Sequence, residues 1–286
     1  MIKSINGIKD IVKLYDTFIL DQWGVMHDGI NGYDHAIECV NYLKKNNKNL
    51  IIISNSSKRK LSSIKRLPNL GFNQNMFDEL ITSGEMVWQQ ISSSLNYYGK
   101  DLNKCFHMFN ESKEDGFEFR DGLNNITFVA DIENADFILA CTPYENSTPI
   151  DYIPALKLAS DKNLLMFCAN PDFETIEKDH SFCMGTIADL YEHMGGKVVI
   201  LGKPSKIIYQ EATKNLDQNL SKIVAIGDSL LHDIQGAKNF GIDSVLITSG
   251  IHKEIFLQKN YSWNNHIKIN KKLDIPPTYI CNIFAI

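Results

Sequence analysis

The residues of this chain best suited to acid, metal or phosphoryl chemistry fall at the ends of apolar runs. Thr17-Phe18-Ile19-Leu20 leads straight into Asp21, and Gln22-Trp23-Gly24-Val25 follows. Leu50-Ile51-Ile52-Ile53 ends in Ser54-Asn55, the run Val198–Leu201 is followed by Gly202-Lys203-Pro204, and Ile223–Ile226 runs into Gly227-Asp228, with Asp233 shortly after. A short apolar run closed by a turn signal reads as a buried strand. Parallel strands bring their carboxyl ends to one edge, so these polar residues can meet although they are far apart in the chain. Three carboxylates packed together repel and take up protons unless a hard dication joins them, and Mg²⁺ prefers such oxygen ligands. That set would still carry a negative charge, which Lys203 offsets in favour of a phosphate dianion. The Ser54 hydroxyl and the backbone N–H groups of the turn after it suit the remaining phosphate oxygens.

The elements that must position these residues alternate between strand and helix. Ile8, Ile11 and Val12 suggest a short leading helix, and Met26–Tyr33, rich in Gly, Asp and Asn, reads as a loop or small hairpin beside Asp21. Ala36, Val40 and Leu43 recur at helical spacing, which predicts a helix over Asp34–Lys45 with Asp34 as its cap. A further helix ends near Leu67, and Glu79-Leu80-Ile81 leads into Thr82-Ser83-Gly84-Glu85. From Met86 a long helix precedes apolar strands at Cys105–Phe109, Ile126–Ala130, Phe137–Cys141 and Leu164–Ala169, with helices over Ile153–Ala159 and Ile187–His193. Helices to Leu216 and over Ile234–Phe240, and strands at Ser244–Thr248 and Tyr279–Phe284, complete the pattern. Strands separated by helices imply an α/β fold with a parallel sheet covered on both faces.

Composition narrows the function classes. At 286 residues and 44% hydrophobic content the chain can bury a large core and suits two domains better than one. Its net charge of −5 argues against nucleic acid or an anionic membrane as partner. No apolar stretch reaches the ~20 residues of a membrane span, and Met1–Lys13 has no signal-peptide core. Six scattered cysteines read as reduced thiols of a cytoplasmic protein. There is no Gly-rich dinucleotide fingerprint, phosphate-binding loop or Gly-x-Ser-x-Gly elbow.

The ordered set of motifs resembles the haloacid dehalogenase (HAD) superfamily of aspartate-nucleophile phosphohydrolases. More narrowly, it is similar to class IIA, in which a large α/β cap lies between the Ser/Thr motif and the Lys motif. Beyond the residues already named, the resemblance takes in Thr82-Ser83-Gly84-Glu85, Asn170-Pro171-Asp172, Met184-Gly185-Thr186-Ile187-Ala188 and the long match Gly227-Asp228-Ser229-Leu230-Leu231-His232-Asp233-Ile234-Gln235-Gly236-Ala237. It implies a Rossmann-like core formed by residues 1–83 and 196–286, with residues 84–195 as the inserted cap. It also implies Asp21 as nucleophile, and Ser54, Asn55 and Lys203 on the phosphate. Mg²⁺ would be held by Asp21, the Trp23 backbone carbonyl, Asp228 and Asp233, with Asn170 and Asp172 facing substrate from the cap side or simply stabilising their turn.

One position departs from the family pattern. Most phosphatases of the superfamily carry a second Asp two residues after the nucleophile, to protonate the leaving oxygen and later activate water; here it is Trp23. A positioned acid/base is worth ~10²–10⁴ in rate, so the resemblance implies low activity on alkyl phosphates unless another group takes over. His27 and Asp28 are the nearest in sequence; the other histidines, His232 among them, read as surface or structural residues. A class IIA subgroup with an Asp-Gln-Trp-Gly-Val motif is the narrowest likeness. The expectation is an Mg²⁺-dependent phosphohydrolase of a small phosphorylated metabolite, able to form homo-oligomers. The alternatives are a non-catalytic module that keeps the metal site and binds a phosphoryl ligand, and a phosphotransferase.

Overall fold

The computed structural model describes residues 2–93, 96–97, 99–112, 114–175, 181–216, 219–257 and 275–286. Residues 258–274 of the tail before Pro276, His266 among them, and His180 lie outside the described residues.

Two parallel sheets organise the chain. The larger has the strand order Lys3–Ser4, Tyr279–Cys281, Asp243–Ile247, Ile223–Gly227, Thr17–Leu20, Asn49–Ser54, Glu79–Thr82. Thr17–Leu20 sits in its middle, paired with Ile223–Ile226 on one side and Asn49–Ile52 on the other. Alternate residues of these strands enter two different cores. Phe18, Leu20, Leu50, Ile52, Val224 and Ile226 pack on the face covered by Ala36, Val40 and Leu43. Ile19, Ile51, Ile53 and Ala225 pack on the opposite face with Ile208, Tyr209 and Ala212. Burial on both faces is why these strands read as unbroken apolar runs without alternation.

The smaller sheet has the order Lys197–Ile200, Leu165–Cys168, Phe137–Ala140, Lys104–Met108, Thr127–Val129. It is built wholly from chain lying between the Glu79–Thr82 and Ile223–Gly227 strands of the larger one. The Ser83–Ser92 helix links the two, its Val87 and Ile91 sharing a core with Cys105, Phe137 and Phe167. Among the described residues no helix is long and apolar enough to cross a membrane. None of the six cysteines, all buried, is in a disulfide.

Three expectations need correction. The strand before Lys203 spans Lys197–Ile200 and pairs with Leu165–Cys168 in the smaller sheet, so residues 196–200 do not join the sheet that carries Asp21. An apolar run announces a strand but not its neighbour, and this strand is a half-covered edge. The Asp34–Lys45 helix has the expected bounds, yet Tyr33 is its cap residue and no side chain caps it. The leading segment is only a 3₁₀ turn, Ile8–Asp10.

Close backbone approach fixes the junction between the sheets. A Cβ on Gly84 would lie 2.0 Å from the Ser57 carbonyl oxygen and 2.8 Å from that of Lys58, in the loop that follows Ser54. Gly84→Ala therefore forces backbone apart, and we expect a loss of roughly 1–3 kcal/mol, read as a lower urea midpoint with an unchanged m-value.

Candidate active site

Each strand end beside the sheet centre delivers one polar group. Asp21 directly follows Leu20, and its backbone N–H donates to the Ile226 carbonyl at 2.9 Å, which holds it level with the end of the neighbouring strand. Gly227-Asp228 continues that neighbour and Ser54 ends the strand on the other side. After Asp228 the chain enters one π-helical turn, Leu230–Ile234, capped by Ser229, before the Gln235–Phe240 α-helix. The wide turn brings Asp233 back so that Ser229 N–H donates to its Oδ2 at 3.1 Å. Such turns recur at functional sites because they re-aim one side chain.

Lys203 arrives from the other sheet and closes the group. Its Nζ donates to Asp21 Oδ1 at 2.5 Å and to Asp233 Oδ1 at 2.7 Å. Asn55 clamps the Lys203 backbone from both sides: Lys203 N–H donates to Asn55 Oδ1 at 2.8 Å, and Asn55 Nδ2 donates to the Lys203 carbonyl at 3.1 Å. Gly202 permits this approach, since a Cβ there would lie 2.6 Å from Asn55 Oδ1. Asp21, Ser54, Lys203 and Asp228 thus meet in one place, although Lys203 comes from the loop after a strand of the smaller sheet.

Charge is out of balance here. Asp21, Asp228 and Asp233 are all buried and offer carboxylate oxygens within 4.8 Å of one another. Burial pushes the Asp21 carboxyl up to about 7, against the pull of Lys203 and with the help of Asp233. Burial, then the charges of Asp21 and Asp233, raise Asp228 well above the carboxylate range, although Ile251 N–H donates to its Oδ2 at 2.8 Å. Lys203 is held protonated: burial opposes its charge, but Asp21 and Asp233 outweigh it. One ammonium among three buried carboxylates leaves an all-oxygen, electron-rich donor set, which fits a hard dication.

These groups line a cavity of about 930 Å³ between the two sheets. Asn110, Thr142 and Asn170 reach it from the carboxyl ends of strands in the smaller sheet, so both parallel sheets turn their ligand-binding edges toward one space. Ser54, Asn55, Asn170, Asp172 and Trp23 all line it. Asn170 Oδ1 accepts from Asp172 N–H at 3.2 Å, closing the Asn-Pro-Asp turn.

Around Trp23 the two acid/base candidates nearest in sequence, His27 and Asp28, lie outside the cavity lining. The indole packs edge-on to the His27 ring at 5.3 Å and over Gly29, where a Cβ would lie 2.2 Å from it. His27 is buried behind it, with Nδ1 accepting from Gly29 N–H at 3.0 Å, and burial and Arg66 lower its pKa to about 4. The Asp28 carboxylate accepts from Ile30 and Asn31 N–H. Neither residue lines the cavity. His232, read as surface or structural, does line it, and its Nδ1 lies 3.2 Å from Asp172 Oδ1. Its place immediately before Asp233 was the signal available in the sequence.

Comparison with known proteins agrees with this geometry. Residues 18–116 match the sequence profile of the haloacid dehalogenase-like hydrolases, and residues 200–282 that of a HAD-hydrolase-like family. The chain belongs to the haloacid dehalogenase-like hydrolases. A haloacid dehalogenase-like hydrolase from Brucella suis superposes with a TM-score of 0.82 at 26% identity, covering 98% of this chain and 100% of that one. The 5'-nucleotidase YutF of Bacillus subtilis is 23% identical over 85% of this chain and 90% of its own length. The acid sugar phosphatase of Staphylococcus epidermidis is 23% identical over 94% of this chain and 95% of its own. The superposition on the Brucella suis structure thus extends over both sheets of this HAD hydrolase.

The raised Asp21 value has a consequence for stability. Between its ordinary 3.8 and about 7 the folded protein holds a proton that the unfolded chain has released. The stability this group contributes is full below pH 3.8 and is lost as the pH rises through 7. In chelator, Asp21→Asn should therefore gain stability relative to the native chain as pH rises from about 4 to 8, by at most about 1.4 kcal/mol per pH unit, measured by urea unfolding of both proteins.

Proposed function

We propose that this HAD hydrolase is an Mg²⁺-dependent phosphohydrolase of small phosphorylated metabolites, working through an aspartyl-phosphate on Asp21. The observation that carries the reading is the meeting of Asp21, Asp228, Asp233 and Lys203 in one buried cluster opening onto a cavity large enough for a nucleotide or sugar ester. The phosphatase names of its relatives support it.

The roles follow from geometry and charge. Asp21 attacks phosphorus with one carboxylate oxygen, the ester P–O bond breaks, and water then cleaves the acyl phosphate, so one difficult displacement becomes two easier ones. Lys203 pulls against the burial that favours a protonated Asp21 and meets the phosphoryl oxygens as a fixed positive charge. Ser54 offers its hydroxyl, and Asn55 keeps Lys203 in place from behind. Asp21, Asp228, Asp233 and the Trp23 carbonyl would hold Mg²⁺. Bound there, the ion would neutralise charge on the phosphoryl group. Residues 84–195, with the Lys197–Ile200 strand, act as a cap that selects the ester group and excludes water. The run Asp21-Gln22-Trp23-Gly24-Val25 supports membership of the Asp-Gln-Trp-Gly-Val subgroup of class IIA. Placement in a reducing cytoplasm suits its buried thiols.

Phosphate release from a panel of small esters should require Mg²⁺ and fall by more than about 10³-fold in Asp21→Asn. Ligand binding without release would instead assign the non-catalytic module. Independently of turnover, Mg²⁺ at about a hundred times its Kd should stabilise the native chain by about 2.7 kcal/mol, with little effect on the Asp21→Asn, Asp228→Asn double variant in the same thermal scan.

A further inference from the structure

Trp23 leaves the site without the acid that its relatives carry on the nucleophile loop, and neither His27 nor Asp28 can replace it from where they lie. Among the described residues the cavity wall holds three carboxylates outside the Asp21 cluster: Glu145, Asp172 and Glu174. Asp172 is joined to the phosphate side of the site. Its Oδ1 accepts from Asn55 Nδ2 at 2.8 Å, and the same Asn55 is clamped to the backbone of Lys203, whose ammonium grips Asp21. The charge of Asp172 is among those that raise Asp21 and Lys203. His232 flanks the carboxylate: its Nδ1, hydrogen-bonded to Ser229 Oγ at 3.0 Å, lies 3.2 Å from Asp172 Oδ1, and the Phe173 ring packs on the His232 ring at 5.7 Å.

The backbone beneath Asp172 is rigid. Asp172 N–H is bonded to Asn170 Oδ1, and the Asp172 carbonyl accepts from Gly185 N–H at 3.0 Å at the start of the Met184–His193 helix. A Cβ on Gly185 would lie 2.2 Å from the Pro171 carbonyl oxygen, so that glycine lets the turn sit directly on the helix end. The result is a carboxylate carried by the smaller sheet, reaching across the cavity to the loop after Ser54, with 38% of its side chain still open to the cavity.

We propose that Asp172 supplies the acid/base function that Trp23 cannot, from the opposite wall of the cavity. This rests on the phosphohydrolase reading. In the first step Asp21 Oδ bonds to phosphorus, the P–O ester bond breaks, its electron pair goes to the leaving oxygen, and the Asp172 carboxyl proton moves to that oxygen. In the second step Asp172, now ionised, takes a proton from water as the water oxygen bonds to phosphorus. The bond from phosphorus to Asp21 then breaks, and its electron pair returns to the Asp21 carboxylate. His232 is a positioning residue for Asp172. Because the acid arrives with the cap, turnover requires the two sheets to be as close as they are here.

The test is leaving-group dependence. Asp172→Asn keeps a carbonyl oxygen for the Asn55 amide, so a merely structural role survives it. We expect kcat on alkyl phosphates to fall by about 10²–10⁴-fold. An aryl phosphate such as 4-nitrophenyl phosphate, whose leaving group needs little protonation, should instead give a stoichiometric burst of the phenol followed by slow steady-state turnover. Asp172→Glu should restore part of the alkyl activity. Equal losses on alkyl and aryl esters without a burst, or no loss on either, would overturn the assignment of Asp172 alone. A native chain that releases no phosphate, or an Asp21→Asn variant that still does, would remove the phosphohydrolase reading and this proposal together.

Discussion

The buried contact of Lys203 with Asp21 and Asp233 is the constraint on which the rest of the molecule depends. Breaking a buried ion pair by removing one partner typically costs ~3–5 kcal/mol, because the charge left behind cannot reach water. Here one ammonium serves two carboxylates, with Asp228 close by, so the cluster is tolerable only if its members are held at fixed distance. Much of the surrounding structure does that holding. The central parallel strands set Asp21 and Asp228 side by side, the π-helical turn swings Asp233 into reach, and Asn55 grips both sides of the Lys203 peptide.

The same contact joins two bodies of chain. Lys203 follows a strand of the smaller sheet while its acidic partners sit on the larger, so the ion pair is also a tie between the sheets. Asn55 with Asp172 is a second tie a short distance away, and Arg59 with Glu85, at 2.8 Å, is a third at the head of the linking helix. The first two place a polar group of one unit against the other along the cavity wall. A cavity framed in this way is a reaction vessel whose floor is charged and whose roof is mostly neutral and polar, with Asn110, Thr142 and Asn170 as examples.

Much of this was legible in the sequence because buried parallel strands leave a plain signal. Phe18–Leu20, Leu50–Ile53 and Ile223–Ile226 are apolar on both faces, and each is followed within two residues by the polar residue that lies at the site. What could not be read is pairing across long separations. Nothing in Lys197–Ile200 states that its neighbour is Leu165–Cys168 and not a strand of the larger sheet; that follows from the path of the whole inserted segment. The role of His232 was hidden for a related reason. A single histidine on a short turn has no periodicity to mark its direction, and its partner Asp172 is supplied from the other sheet.

Trp23 shows how a local substitution can redistribute chemistry over the whole site. An indole cannot carry a proton between water and a leaving oxygen, but here it does what a carboxylate could not. It covers the buried His27, packs on Gly29, and lies 5.7 Å beneath the Arg66 guanidinium, sealing the base of the nucleophile loop. A fourth carboxylate at that position would add to a cluster in which burial already raises Asp21 and Asp228. Removing it eases that repulsion and leaves proton transfer to a group further off. On the proposed reading the larger sheet carries the nucleophile and the metal ligands, Lys203 reaches them from the smaller sheet, and Asp172, the group that changes protonation, lies on the opposite wall.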